Sequence, residues 1–203
     1  MSTIEFNGQT KAAGKIVCIG KNYAAHIEEM DAVIPADMVV FMKPASAISP
    51  TLQSFRGEAI HYEGEICLLM GSDKVVGVGF GLDLTKRALQ WQLKTTGLPW
   101  ERAKAFDGAA LFSPFVSAPH CLDELRLELR IDGELRQHGG CDLMLYPPTL
   151  ILEELAKFTR LEDNDIIMTG TPAGVGEIPK GSTFDGRVYD GEQELISATW
   201  IAQ

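Results

Sequence analysis

Glu63 and Glu65 stand one residue apart in the run His61-Tyr62-Glu63-Gly64-Glu65. The apolar stretch Ile66-Cys67-Leu68-Leu69-Met70 follows directly and predicts a buried strand. Side chains at i and i+2 of a strand share a face. The two carboxylates should therefore project side by side from the end of a buried element. Acids that close raise each other's pKa unless a cation lies between them. Oxygen-only pairs suit hard divalent ions such as magnesium, manganese or calcium. The alternative is an exposed strand edge with two solvated acids. Asp83, at the end of the next strand, would complete a three-point oxygen site with positions left for water or substrate. It fits equally as a cap for the helix that starts after Thr85.

Three further groups carry chemistry. His26 and Glu29 lie three apart on a short helix, hence on one face. A carboxylate orienting an imidazole makes a general base for activating water; a solvated helix surface is the plainer alternative. Lys43, Arg87 and Lys104 are cations in or beside the same strands and helices. Next to a metal site they could hold a substrate carboxylate or a developing enolate; otherwise they are surface charges. The glycine-rich turn Thr169 to Gly176 leaves a strand, and its amides could form an anion nest. It lacks the Gly-Lys-Ser/Thr of a phosphate loop and the following helix of a dinucleotide fingerprint.

The elements that must position these residues read as follows. Lys15 to Gly20 and Met38 to Met42 are short apolar strands. Asn22 to Met30 is a helix with Asn22 as N-cap. Lys74 to Leu84 is a strand in which glycines 77, 79 and 81 leave one face bare, so another backbone or a ligand can approach. A helix runs from about Lys86 to Thr95. Leu125, Leu127, Leu129 and Ile131 alternate up to Asp132-Gly133, the pattern of a tight hairpin. Pro147 and Pro148 open a helix through roughly Thr159. Asp165 to Met168 is a strand, and Ser182 to Trp200 reads as two more joined near Asp190-Gly191. Strands outnumber helices and are not regularly interleaved with them. The fold class is α+β, mostly β, built on a mixed, curled sheet.

The chain has 203 residues, 45% of them hydrophobic and 23% charged, enough for one sizeable core. We expect a single catalytic domain over residues 1–203, with 1–14 an N-terminal extension or strand. The formal net charge of −10 argues against nucleic acid or an anionic membrane as partner. No apolar run reaches membrane-spanning length, and the start lacks a signal peptide's basic and apolar regions, so a cytoplasmic location is expected. Cys18, Cys67, Cys121 and Cys141 form no Cys-x-x-Cys pair. Cys18 and Cys67 read as buried small hydrophobes, and neither a zinc site nor a disulfide framework is expected.

Six motifs, in order, resemble the fumarylacetoacetate hydrolase family. They are Cys18-Ile-Gly-Lys-Asn-Tyr-Ala-Ala-His26 with Glu29, Phe41-Met-Lys43-Pro44, His61-x-Glu63-x-Glu65, Leu82-Asp83-Leu-Thr85, Ala103-Lys104-Ala-Phe106 and Thr169-Gly-Thr171-Pro172-x-Gly174-Val-Gly176. The resemblance covers the chain from about Lys15 to the C-terminus and is nearest to short acylpyruvase-like members. It implies a mixed β-sandwich roll like the family's C-terminal domain, a homodimer, and one Mg2+ or Mn2+ per site, with Ca2+ also suited. It implies Glu63, Glu65 and Asp83 as metal ligands, His26 and Glu29 as the water-activating dyad, and Lys104 as the enolate-stabilising lysine. Lys43, Arg87, Gln90 and Thr171 match positions lining the substrate pocket.

The implied activity is hydrolysis of a C–C bond in small 2,4-dioxo acids, such as acylpyruvates or fumarylpyruvate-like compounds, through a metal-bound enolate. The alternative on the same site is an oxaloacetate decarboxylase or tautomerase, or a 2-hydroxy-dienedioate isomerase. A binding protein that kept the site without turnover is a third class, disfavoured because ligand binding alone needs no base. Two departures from the family pattern bear on this. Lys21 stands where many relatives carry arginine, and a lysine lacks the planar two-point grip on a carboxylate. Gly64 stands where a bulkier residue is common, which predicts a locally looser strand.

Overall fold

The structure is a computed structural model describing residues 1–203. In chain order its elements are β1 (Thr3–Phe6), β2 (Gln9–Ala12), β3 (Ile16–Gly20), α1 (Ala24–Glu29), β4 (Val39–Lys43), β5 (Ile60–Tyr62), β6 (Gly64–Met70), β7 (Val75–Asp83) and β8 (Thr85–Lys86). Then come α2 (Arg87–Thr95), α3 (Glu101–Lys104), β9 (Ala110–Phe112), β10 (Val116–Ser117), β11 (Leu125–Ile131) and β12 (Glu134–Gly140). The chain closes with α4 (Pro148–Ala156), β13 (Ile166–Met168), β14 (Gly176–Glu177), β15 (Thr183–Asp190) and β16 (Gln193–Ile201). The α+β, mostly β class is what the chain forms.

The central sheet has the order β10-β7-β6-β13-β3-β4, with β9 also on β7. Only the β13–β3 pairing is parallel; the others in this sheet are antiparallel. A four-stranded antiparallel sheet, β12-β11-β15-β16, stacks on one face of it. Period-two alternation divides each central strand between two cores. Val17 and Ile19 of β3, and Ile66, Leu68 and Met70 of β6, join the large core between the sheets. Ile16 and Cys18, and Cys67 and Leu69, join a smaller core on the opposite face. With both faces covered, these strands read as unbroken apolar runs rather than alternating ones. None of the helices is long and apolar enough to cross a membrane.

Several local expectations need correction. Asn22 does not cap α1. The N-cap is Tyr23, with no side-chain cap bond. The buried Asn22 side chain instead donates to the Tyr146 and Thr169 carbonyls, at 2.9 and 2.7 Å, and accepts from the Tyr146 amide at 2.8 Å. It fastens the entry to α1 onto the end of β13. The fourth helix stops at Ala156 rather than Thr159. The bare glycine face of β7 admits a neighbouring backbone, with the Val116 carbonyl 3.1 Å from where a Cβ on Gly77 would lie, and aromatic side chains. A Cβ on Gly79 would lie 3.1 Å from Phe115, and one on Gly81 would lie 3.0 Å from Phe112 and 2.5 Å from the Cys67 sulfur. Nor is β6 loosened at Gly64, where a Cβ would meet Gln137 Oε1 and Phe80 at 3.0 Å. Residues 1–14 form the hairpin β1–β2, turned by Asn7 and Gly8, both at positive φ. Ile4 anchors that hairpin in the smaller core.

Candidate active site

The β6–β7 register builds the acid cluster. Gly64 pairs with Leu82 and Glu65 with Gly81, and the Asp83 amide donates to the Glu63 carbonyl at 2.8 Å. Glu63 and Asp83 thus face each other across the strands. Glu65, two residues on, shares their face, the side of the smaller core. Carboxylate oxygens of all three lie within 4.8 Å of one another. Glu63, Glu65 and Asp83 are only 6%, 2% and 1% exposed, so neither the solvated strand edge nor the helix cap describes them. The residue capping α2 is Lys86.

Three cations face these acids. Lys104, at the end of α3, lies 2.9 Å from Glu63 Oε2, 2.6 Å from Asp83 Oδ2 and 2.7 Å from Thr85 Oγ1. Lys43, from the end of β4, lies 2.7 Å from Asp83 Oδ1 and donates to the Lys104 carbonyl. Arg87 donates to Glu63 Oε1 and to Gln90 Oε1. Burial disfavours the charged form of Glu63, but Lys104 and Arg87 outweigh it and hold this carboxyl well below the usual range. Burial likewise works against the Lys104 ammonium, and Asp83 and Glu63 outweigh it, so its pKa rises.

Glu65 differs. It is in none of the ion pairs, and its named partner is the Gly170 amide at 2.8 Å. Burial, then Asp83 and Glu63, push its carboxyl well above the ordinary value. Asp83 Oδ1 is buried, makes no hydrogen bond, and has the Lys43 ammonium 2.7 Å away as its ion-pair partner. A buried acid in no ion pair, and oxygen donors from three carboxylates converging within 4.8 Å, fit a hard divalent ion.

On the other wall, α1 presents His26, largely buried. Its Nδ1 lies 3.1 Å from Glu29 Oε2. Glu29 Oε1 accepts the Gly174 amide at 2.9 Å. The glycine-rich turn after β13 therefore spends two amides on the protein's own carboxylates, Glu65 and Glu29. Gly170 and Gly174 both have φ near +104°, and a Cβ on Gly174 would fall 1.9 Å from the Arg136 carbonyl. Only glycine serves there.

His26, Lys104, the three acids, Arg87, Gln90 and Thr171 all border one pocket; Lys43 lies behind it, against Asp83. Thr171 donates from Oγ1 to the Gly64 carbonyl at 2.9 Å and accepts from Gln137 Nε2 at 2.7 Å. Gln137 also accepts the Gly64 amide at 2.8 Å. It braces the glutamate-bearing turn, and no sequence motif marked it. Phe41 and Trp100, with ring centroids 5.9 Å apart, give the pocket an apolar wall. Lys21 and Lys94 complete its cationic side. Lys94 was legible in principle, since it follows Arg87 and Gln90 at helical spacing.

Residues 15–198 match the model of the family described as fumarylacetoacetate (FAA) hydrolase, C-terminal. The oxaloacetate tautomerase FMP41 of Saccharomyces cerevisiae is 36% identical over 235 residues, covering 92% of this chain and 91% of that one. The oxaloacetate tautomerase YcgM of Escherichia coli is 35% identical over 194 residues, covering 85% and 89%. The fumarylpyruvate hydrolase of Pseudomonas aeruginosa, solved in complex with Mn2+ and pyruvate, superposes with a TM-score of 0.87. It is 32% identical and covers 98% of this chain and 94% of that one.

Proposed function

The chain belongs to the fumarylacetoacetate hydrolase family, and from that premise we propose that it is a divalent-metal-dependent enzyme hydrolysing a C–C bond in small 2,4-dioxo acids. The observation that carries this reading is the meeting of a buried three-carboxylate cluster and a His–Glu dyad across one pocket. Glu63, Glu65 and Asp83 would hold the ion, Mg2+ or Mn2+. When bound, it would supply Lewis-acid polarisation and a template for adjacent oxo and carboxylate oxygens.

The chain's own groups do the rest. Glu29, itself held by the Gly174 amide, fixes the His26 ring through Nδ1. That leaves Nε2 to take a proton from water. The water oxygen attacks the C4 carbonyl, and the C3–C4 bond breaks with its electron pair moving to C3. His26 returns its proton to C3, giving pyruvate and a carboxylic acid. Lys104, buried and cationic, offsets negative charge as it grows on the pyruvate fragment. Gln90 and Thr171 line the pocket for the substrate, and Arg87 and Lys43 fix the acids' orientation. A homodimer, as in the family, belongs to the same proposal.

A second reading has its own support. The two curated relatives above are named oxaloacetate tautomerases. Keto–enol exchange, or decarboxylation of oxaloacetate, needs the same acid cluster and lysine but no attacking water. The deciding experiment is a substrate panel with Mg2+, covering acetylpyruvate, fumarylpyruvate and oxaloacetate. Cleavage of the dioxo acids supports hydrolysis. Turnover of oxaloacetate alone moves the assignment to the tautomerase and decarboxylase reading.

A further inference from the structure

Gln137 does not border the pocket, yet its whole amide is committed to residues that do or that flank them. It is buried on β12, between exposed Arg136 and His138. Its Oε1 accepts the Gly64 amide at 2.8 Å, and its Nε2 donates to Thr171 Oγ1 at 2.7 Å and to the Pro172 carbonyl at 2.8 Å. Gly64 is the single residue between Glu63 and Glu65. A Cβ there would meet Gln137 Oε1, so the clamp grips β6 from the face opposite the two carboxylates. Thr171 and Pro172 lie in the turn whose Gly170 and Gly174 amides hold Glu65 and Glu29.

The backbone of β12 meets the same partners. It is the edge strand of its sheet. A Cβ on Gly139 would fall 2.8 Å from Pro172 and 3.1 Å from Tyr23, the N-cap of α1. One edge strand thus touches the acid-bearing strand, the glycine-rich turn and the entry to the helix that carries His26 and Glu29.

We infer that Gln137 is a positioning residue that sets the acid cluster and the His26–Glu29 dyad relative to each other. It fixes the Glu63-Gly64-Glu65 backbone against the turn. The turn then holds Glu65 directly and His26 through Glu29. A methionine at 137 keeps a similar volume and loses all three hydrogen bonds. This rests on the proposed function's placing of the ion and the base.

The test titrates Mn2+ into the intact protein, with free ion read by EPR, and follows acetylpyruvate hydrolysis and oxaloacetate decarboxylation on the same samples. Gln137→Met should weaken Mn2+ binding by about 10- to 100-fold, the scale of losing a group that orients a metal ligand. It should also lower hydrolysis more than decarboxylation. Ile4→Ala, in the β1–β2 hairpin and outside the pocket, is the control: its thermal midpoint should fall while Mn2+ affinity holds. A Gln137→Met protein that melts lower but binds Mn2+ like the wild type overturns the positioning role. Weakened binding with an unchanged ratio of the two rates confines Gln137 to the acids and overturns the two-sided role. Should Gln137→Met not fold, Thr171→Val removes the hydroxyl that joins Gln137 to the Gly64 carbonyl, and Thr171→Ser keeps it. Weak Mn2+ binding in the first and recovery in the second support the clamp; equal binding in both overturns it. Clamp-dependent Mn2+ binding in a protein that cleaves no dioxo acid keeps the hold on the acids and loses the hydrolase reading. A dioxo-acid hydrolase indifferent to Gln137→Met does the reverse.

Discussion

His26 and Glu65 are the residues on which the chemistry turns, and each is held by a glycine amide of the same turn. For His26 the restraint passes through Glu29 and Gly174. A positioned general base contributes roughly 10²- to 10⁴-fold. We therefore expect His26→Ala to lower kcat for dioxo-acid hydrolysis by about that factor, while oxaloacetate decarboxylation falls by less than about tenfold. Steady-state rates of both reactions on one preparation measure this. Equal losses would remove the water-activating role. At this scale the sequence showed residue types well and partners poorly. The Glu63–Glu65 spacing was readable because period two is local. That Lys104 would sit between Glu63 and Asp83 was not, because Glu63 lies 41 residues away along the chain.

At the scale of elements, the site depends on two sheets meeting closely over β6 and β7. Gly186 of β15 lies against the Phe80 ring, where a Cβ would fall 2.2 Å from a ring carbon. Gly186→Ala should overpack this contact and cost about 2 kcal/mol, or roughly 4–8 °C in a thermal melt. Adding Phe80→Leu should recover part of the loss, and a double variant no more stable than Gly186→Ala would show the contact is not the cause. The hairpin β11–β12 was legible from alternation and Asp132-Gly133, both at positive φ. Its inner face was not. Arg130 pairs with Leu135 but Leu129 with Gln137, so a bulge at Arg136 leaves Leu135 exposed and turns Gln137 inward. Nothing local signals that bulge, so the brace under Gly64 is not legible in the sequence. The Asn7-Gly8 turn of β1–β2 is the opposite case, a hairpin whose signal is local, since Asn-Gly suits two successive positive φ angles.

For the whole molecule, most of the sheet framework was readable because buried strands write themselves as apolar runs. How the two sheets stack was not, since stacking is set by contacts between distant segments. Two cores, one on each face of the central sheet, leave Cys18, Cys67 and Cys141 buried and Cys121 exposed. Burial raises the first two thiols well above their ordinary value and pushes Cys141 up to about 12. Between the unfolded thiol pKa of about 8.5 and these raised values, the unfolded chain gives up protons that the fold retains. Stability contributed by the neutral thiols is whole below that range and declines as pH rises through it. At pH 8.5 a thiol reagent should modify Cys121 quickly and the other three only on unfolding. Rapid native modification of two or more thiols would contradict the burial. Denaturant midpoints should fall from pH 8.5 toward pH 10, and a flat or rising trend would contradict the sign.

The central claim is that Glu63, Glu65 and Asp83 share one divalent ion. Its most direct test is a crystal grown with Mn2+ and oxalate, measured at the manganese absorption edge. The account predicts one strong anomalous peak per chain within about 2.0–2.6 Å of an oxygen from each of the three carboxylates, the range of hard-cation ligation. It also predicts that the peak is lost in Glu65→Gln. A peak elsewhere, or one retained at this position in that variant, would contradict it.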